Sequence, residues 1–161
     1  MMSLKKITFY FLLIWLQSAH ASIQAIIFAA GKSSRFEGET SKLLTLFNGK
    51  EMILYPVQAV ANLHIPQVVI VGHQKELVYK TIQQALPKAD IHFVTQEEQL
   101  GTGHALKCAQ HNLTGDDILM LYGDQPLMTS EMLQKLIDAH TATDAVITIM
   151  VSLRTQPGGY G

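Results

Sequence analysis

Two cations, one carboxylate and a run of small residues supply most of the chemistry visible in this chain. The stretch Ile23-Gln24-Ala25-Ile26-Ile27-Phe28-Ala29-Ala30-Gly31-Lys32-Ser33-Ser34-Arg35-Phe36, with Ser41-Lys42 soon after, passes from β-branched apolar residues to small ones and then to cations. Such a run reads as a buried strand emptying into a loop where backbone N–H groups and two cations can surround an anion. Ala29, Ala30 and Gly31 leave room for a nucleotide to lie against the main chain, and Arg35 and Lys42 are long enough to reach its phosphates from two directions. The spelling satisfies neither GxxxxGK[ST] nor a full GxGxxG, so both the P-loop and dinucleotide fingerprints fail. An ordinary strand-to-helix loop with solvated cations is the alternative reading.

Three later groups could work with that loop. Asp124 ends the apolar run Ile118-Leu119-Met120-Leu121 and stands just before Pro126. It is either a rigid hard-oxygen ligand that holds Mg²⁺ against phosphates or a turn-forming Asp. Gly101-Thr102-Gly103 offers a hydroxyl and free N–H groups at a helix start, where base carbonyl or ribose oxygens can bond; a plain N-cap role for Thr102 is the alternative. Gln96, both donor and acceptor, could match the amide-like edge of a pyrimidine, or be a solvated strand end. His73 and His104 lack a sequence-visible carboxylate partner and are assigned structural roles, His104 at the start of a helix. No Ser-His-Asp or Cys-His arrangement is evident.

The elements that must position these groups follow an alternating pattern. Strands are predicted from Ile23 into Phe28-Ala29-Ala30-Gly31 and at Leu43 to Phe47, Gln67 to Gly72, Ile91 to Val94, Ile118 to Tyr122 and Ala145 to Leu153. Asn48-Gly49 marks a turn after the second. Helices are predicted from Glu51 to Leu63, which Pro56 would kink unless it sits in the first turn, and from Lys75 to Leu86, with Leu77, Ile82 and Leu86 as apolar surface. Two more run from Gly103 to His111 and, led by Thr129-Ser130, from Glu131 to His140. Alternation of this kind describes βαβ units on a mainly parallel sheet, an α/β fold whose ligands bind beyond the carboxyl ends of the strands. The first, fourth and fifth of these strands end at Phe28–Gly31, Gln96–Gly103 and Tyr122–Asp124, where the chemistry-bearing residues lie.

Length and composition set bounds on partners. The chain has 161 residues, enough for one sizeable α/β core, and a formal net charge of -1, which leaves no footprint for a nucleic acid polymer. Its one cysteine, Cys108, forms no internal disulfide and reads as a small core residue on a helix. Lys5-Lys6, the apolar run Ile7 to Leu16 and Ala19-His20-Ala21 have the parts of a signal peptide, although the run is too short for a comfortable membrane span. Residues 1–21 are therefore either a signal peptide or an N-terminal extension, and 22–161 form the α/β domain.

Residues Ala25 to Gly161 resemble the N-terminal uridylyltransferase domain of the bacterial bifunctional enzyme that makes UDP-N-acetylglucosamine, within the sugar nucleotidyltransferase superfamily. The resemblance rests on Gln96 and on Glu98-Gln99-Leu100-Gly101-Thr102-Gly103-His104-Ala105, supported by Asp117-Ile118-Leu119-Met120-Leu121-Tyr122-Gly123-Asp124 and Gly159-Tyr160-Gly161. It implies a Rossmann-like three-layer fold with its C-terminal part missing, Mg²⁺ as cofactor, and UTP and N-acetylglucosamine 1-phosphate as substrates. It further implies that Phe28, Ala29, Ala30 and Gly31 lie along the nucleotide, that Lys42 contacts phosphate, and that Gln96, Gly101 and Thr102 recognise uridine. Tyr122, Gly123 and Asp124 would touch the UDP-sugar, Asp124 also holding Mg²⁺, and Gly161 would face the sugar. Arg35, Lys42 and Asp124 are the expected catalytic groups.

The sequence departs from that family at Ser33-Ser34, where Gly-Thr is usual, and at Ser41, where Pro commonly precedes the Lys. Gly31 to Gly38 looks more like relatives that transfer CMP or GMP to molybdopterin, which keeps cytidylyl or guanylyl transfer as the runner-up and a non-catalytic nucleotide-binding fragment as a third reading. The resemblance implies cytoplasmic function, against export if residues 1–21 act as a signal. Ending at Gly161, the chain is expected to have little transferase activity alone and to tend to self-associate.

Overall fold

Parallel strands covered on both faces require nearly continuous apolar sequence, and Ile23–Ala29 supplies it: Ala25, Ile26 and Ile27 have no solvent exposure. The computed structural model describes residues 22–31, 41–143 and 145–151. Along them run β1 (Ile23–Ala29), β2 (Leu46–Phe47), β3 (Lys50–Glu51), α1 (Leu54–Ala61), β4 (Gln67–Val71), α2 (Lys75–Ala85), β5 (Ile91–Thr95), α3 (Thr102–Ala109), β6 (Asp117–Tyr122) and α4 (Ser130–Thr141). Four strands form a wholly parallel sheet in the order β5-β4-β1-β6. Sequence neighbours step outward from β1 to β4 and β5, and the chain then returns to the other side of β1 for β6. This is the Rossmann-like order expected of the fold class.

The two faces of β1 define the layers. Ala25, Ile27 and Ala29 pack with Val57 and Val60 of α1, Val78 and Ile82 of α2, and Leu133 of α4. Ile26 and Ala30 pack on the other side with Ala105 and Ala109 of α3. Helix, sheet, helix is thus read directly from alternation along one strand. At the amino end of the sheet, buried Gln24 donates to the Asn112 carbonyl and accepts from the N–H groups of Thr114 and Gly115, which pins the entry to β6.

Several predicted boundaries are corrected. Lys42–Leu44 forms a 3₁₀ turn, and the strand expected over Leu43 to Phe47 shrinks to β2, paired antiparallel with β3 through Asn48 and Gly49, both at positive φ. Because Lys50 and Glu51 belong to that hairpin, the helix expected from Glu51 begins at Leu54, with Pro56 still in its first turn. In α2, Val78 takes the core position and Leu77 is 51% exposed. No strand forms over residues 145–151: that segment lacks a ladder partner among the described residues, and Val146, Ile147 and Val151 are exposed. The candidate signal segment, 1–21, lies outside the described residues. Among those described, no helix is long and apolar enough to cross a membrane.

Two consequences can be measured. Gly72 leaves β4 so close to β1 that an added Cβ would stand 2.8 Å from the Ala30 carbonyl oxygen and 2.9 Å from its Cβ. Gly72→Ala should therefore cost about 1–3 kcal/mol in chemical denaturation, the range for overpacking, and an unchanged midpoint would show that the strand ends give way freely. At the other end of the sheet, the Ser22 N–H and hydroxyl each donate to Asp116 Oδ2 at 2.9 Å and hold that carboxyl below its ordinary value of 3.8. A depressed folded value means stability present above the unfolded value and lost as pH falls through the folded one. Asp116→Asn should lower the denaturation midpoint at neutral pH, with the gap to wild type closing in acid; a gap independent of pH would refute this.

Candidate active site

Beyond the carboxyl ends of the strands the sheet opens into a cavity of about 490 Å³. Its position follows from strand order, since the connections diverge on either side of β1 and leave a crevice where β1 and β6 end. Phe28, Ala29, Ala30 and Gly31 line it from β1, and Tyr122 and Asp124 from β6. Ala29 and Ala30 bury their methyl groups in opposite core layers, so they present main chain to the cavity. Among the described residues, a Cβ on Gly31 would meet nothing within 4 Å.

Phe28 and Tyr122 are register partners across β1 and β6, and their rings stand 5.5 Å apart at 36°. Tyr122 remains 49% exposed, which leaves an aromatic surface at the cavity wall. Gly123 does not line the cavity. It is buried, its N–H donates to the Phe28 carbonyl at 2.9 Å, and a Cβ there would lie 2.6 Å from Ile53 Cδ1. Glycine at 123 therefore lets the chain hug β1 for one more residue before Asp124 emerges.

The third wall is the turn from β5 into α3. Gln96 is 3% exposed, and its N–H extends the ladder to the Val71 carbonyl at 2.8 Å. Its side-chain Nε2 donates to the Gly101 carbonyl at 3.1 Å and faces His104 Nδ1 at 3.0 Å. Gln99 Nε2 in turn donates to the Gln96 carbonyl at 3.1 Å, bracing the turn from within the cavity lining. Gly101, with φ of +99°, is the N-cap of α3 and Thr102 its first residue, so the alternative of Thr102 as the cap is corrected. Both line the cavity beside the first-turn N–H groups, which have no intrahelical acceptor.

At the rim, Lys42 Nζ donates to Asp124 Oδ2 at 2.9 Å. Lys42 is placed by the 3₁₀ turn that Ser41 caps: the Ser41 hydroxyl accepts from the Leu43 N–H, and the Ser41 N–H donates to Gln74 Oε1 at 2.8 Å. A proline at 41 would lack that N–H, so the serine fits this turn with a bond of its own. Among the described residues no group of three or more His, Cys, Asp or Glu could enclose a metal. One carboxylate opening on a cavity fits a cation that brings phosphate oxygens as its remaining ligands, the usual situation for Mg²⁺.

Of the residues singled out from sequence, Phe28, Ala29, Ala30, Gly31, Gln96, Gly101, Thr102, Tyr122 and Asp124 share this cavity, with Lys42 on its rim and Gly123 behind it. Arg35 and Gly161 lie outside the described residues. Sequence reasoning missed Leu43, Gln99 and Ala105 in the lining, and gave His104 no part in the site. A buried glutamine needs partners for its amide, and a histidine eight residues on, inside the following helix turn, was the available signal.

The chain is similar to known proteins in both sequence and fold. The chain is 41% identical over 145 residues to the bifunctional protein GlmU of Syntrophotalea carbinolica and 40% identical over 144 residues to that of Geotalea daltonii, covering 88% of itself in each case. It spans only 30% and 31% of the length of those relatives. Among solved structures, a nucleotidyl transferase from Methanothermobacter thermautotroptrophicus superposes with a TM-score of 0.63 at 27% identity, over 73% of this chain and 57% of that one. Rv0371c from Mycobacterium tuberculosis, at 23% identity and a TM-score of 0.62 over 77% of this chain and 63% of that one, shares the fold. Residues 25–160 match the MobA-like NTP transferase domain, and the chain belongs to that family of nucleotidyltransferases.

Proposed function

We propose that this chain carries the nucleotide-binding part of a uridylyltransferase that joins UTP and N-acetylglucosamine 1-phosphate to give UDP-N-acetylglucosamine and pyrophosphate. The observation that carries the reading is the meeting of three strand ends at one cavity, with a buried glutamine on one wall and an exchangeable cation–carboxylate pair on the rim. The backbone of Ala29 to Gly31 supports the nucleotide. Gln96, Gly101 and Thr102 receive the base and ribose, while Phe28 and Tyr122 give an apolar wall. Lys42 grips the phosphates together with Arg35. Gly161 belongs to the sugar end of the site by resemblance. Asp124 would hold Mg²⁺, which when bound would neutralise phosphate charge. Function in the cytoplasm, where both substrates are available, belongs to the same reading.

The chemistry asks little covalent work of the protein. A sugar phosphate oxygen attacks the α-phosphorus of UTP in line, the bond to the bridging oxygen of pyrophosphate breaks, and the charge leaves with it. The acceptor is already ionised at neutral pH, so no protein base is required. What the chain supplies is alignment of two polyanions and opposite charge where negative charge accumulates. Gly31 to Gly38, with its likeness to molybdopterin-directed enzymes, supports cytidylyl or guanylyl transfer as the second reading.

Calorimetry of the purified chain with UTP, CTP, GTP and ATP in Mg²⁺ should rank UTP tightest; preference for CTP or GTP would move the assignment to the second reading. Pyrophosphate release from UTP should depend on both Mg²⁺ and N-acetylglucosamine 1-phosphate, and nucleotide binding without any release would leave a binding module. Asp124→Asn should remove most of the Mg²⁺ enhancement of UTP binding, an effect of the order of several kcal/mol when a metal's charge stabilisation is lost. In chelator the same variant should bind UTP at least as well as wild type, because Lys42 is released and a negative charge is gone. An undiminished Mg²⁺ effect in Asp124→Asn would remove Asp124 from the metal site.

A further inference from the structure

The amide of Gln96, in the cavity lining, has its orientation fixed before any ligand arrives. A backbone carbonyl can only accept, so the end of Gln96 that faces Gly101 O at 3.1 Å must be the NH₂ group. The same nitrogen faces His104 Nδ1 at 3.0 Å, which then has to be the bare nitrogen of a neutral imidazole, with its hydrogen on Nε2. Cys108 Sγ, one turn further along α3, lies 3.9 Å from Nε2 and 4.0 Å from Nδ1, and as a weak thiol donor or acceptor at that range it leaves the Gln96 bond as the short contact of the ring. Both N–H bonds of the Gln96 amide are thereby used within the protein. Its Oε1 has no partner among the described residues, yet it is not a sealed atom: Gln67 Oε1 is the buried unpartnered oxygen among them. With Gln96 in the lining, Oε1 is the atom it offers to the cavity.

An acceptor held this way selects for an N–H on the base. Uracil presents N3–H between two carbonyl oxygens, and the first turn of α3, which brings Gly101 and Thr102 to the same lining, has free N–H groups that could serve those oxygens. Cytosine presents a lone pair at N3, so the same oxygen would face it acceptor to acceptor. A freely rotating glutamine could turn its NH₂ outward and take either base; one tied to both Gly101 and His104 cannot without breaking two bonds. We infer that His104, through the hydrogen bond its Nδ1 accepts from Gln96, is a positioning residue that locks the pocket to bases carrying N–H and so discriminates uridine from cytidine nucleotides. The inference rests on the uridylyl reading and adds a residue to which that reading gave no role. Mere packing would also place a histidine at a helix start, but it would not require this tautomer or affect one base more than the other.

The test is calorimetric titration of the folded chain and two variants with UTP and CTP in Mg²⁺, with circular dichroism to verify folding. Wild type should favour UTP by about tenfold or more, the scale of one unmatched buried hydrogen bond. His104→Leu, similar in size but without an acceptor, should narrow that ratio several-fold, because turning the amide then costs the Gly101 bond alone. His104→Asn, whose Oδ1 can stand where Nδ1 does, should retain most of the discrimination. A His104→Leu variant that keeps the wild-type ratio, or weakens both nucleotides equally, would overturn the inference while leaving the uridylyl reading in place. A wild type that prefers CTP would overturn both. Should His104→Leu fail to fold, nitrogen NMR of the wild-type imidazole decides independently: hydrogen on Nε2 is required, and a hydrogen on Nδ1 sinks the proposal.

Discussion

The structure depends on the burial of one strand from every lateral direction. β1 has strand neighbours on both edges and helices on both faces, and three of its residues have no exposure at all. A polar group enclosed there without a partner would cost roughly 1–3 kcal/mol, a large fraction of the stability of a domain this size. Chemistry is therefore confined to the two ends of the strand. At the amino end Gln24 shows the rule in its structural form, with each side-chain atom bonded to the segment that leads into β6. At the carboxyl end the rule is relaxed, because the connections diverge on either side of β1 and leave backbone and side-chain groups facing a cavity.

Gln96 stands between these two cases. It is nearly as buried as a core residue, yet its amide is satisfied on one side only. Completing it would add a hydrogen bond without disturbing those already made, which is the condition for a preorganised recognition group. The brace from Gln99 and the close approach of Gly72 to Ala30 serve the same end by fixing the strand termini around it. Gly123 does the corresponding work on the β6 side, where any larger residue would push the chain off Ile53 and displace Asp124.

Much of this was legible because it follows from periodicity and punctuation. The apolar strands, the parallel order and the rule that ligands sit beyond strand ends led from Phe28, Gln96 and Asp124 to a shared cavity. The Asn48-Gly49 hairpin was readable as a turn, but its effect on the neighbouring segments was not: pairing with Leu46 took Glu51 from the predicted helix, and the 3₁₀ turn before it took Leu43 and Leu44 from the predicted strand. The strand expected through residues 145–151 failed for the complementary reason, since apolar β-branched sequence marks a willingness to pair and not the presence of a partner. The Gln96–His104 and Lys42–Asp124 contacts, eight and 82 residues apart, are properties of the folded loops: a nearby histidine was the one signal for the first, and nothing local marks the second.

The Lys42–Asp124 pair gives this site a charge balance of its own. A bare carboxylate at the mouth of a phosphate site would repel its ligand, and a bare ammonium would attract any anion in solution; paired, each mutes the other. The side chains are 39% and 43% exposed, and an ion pair so wetted is worth no more than about 1 kcal/mol. Had the same two groups been buried, separating them would cost about 3–5 kcal/mol and the pair would behave as a fixed strut. On the proposed reading a metal-bound triphosphate offers a stronger opposite charge to each partner, cation to Asp124 and phosphate to Lys42. Half-exposure is then the property that lets one pair serve both as the resting counter-ion and as the two arms of the bound state.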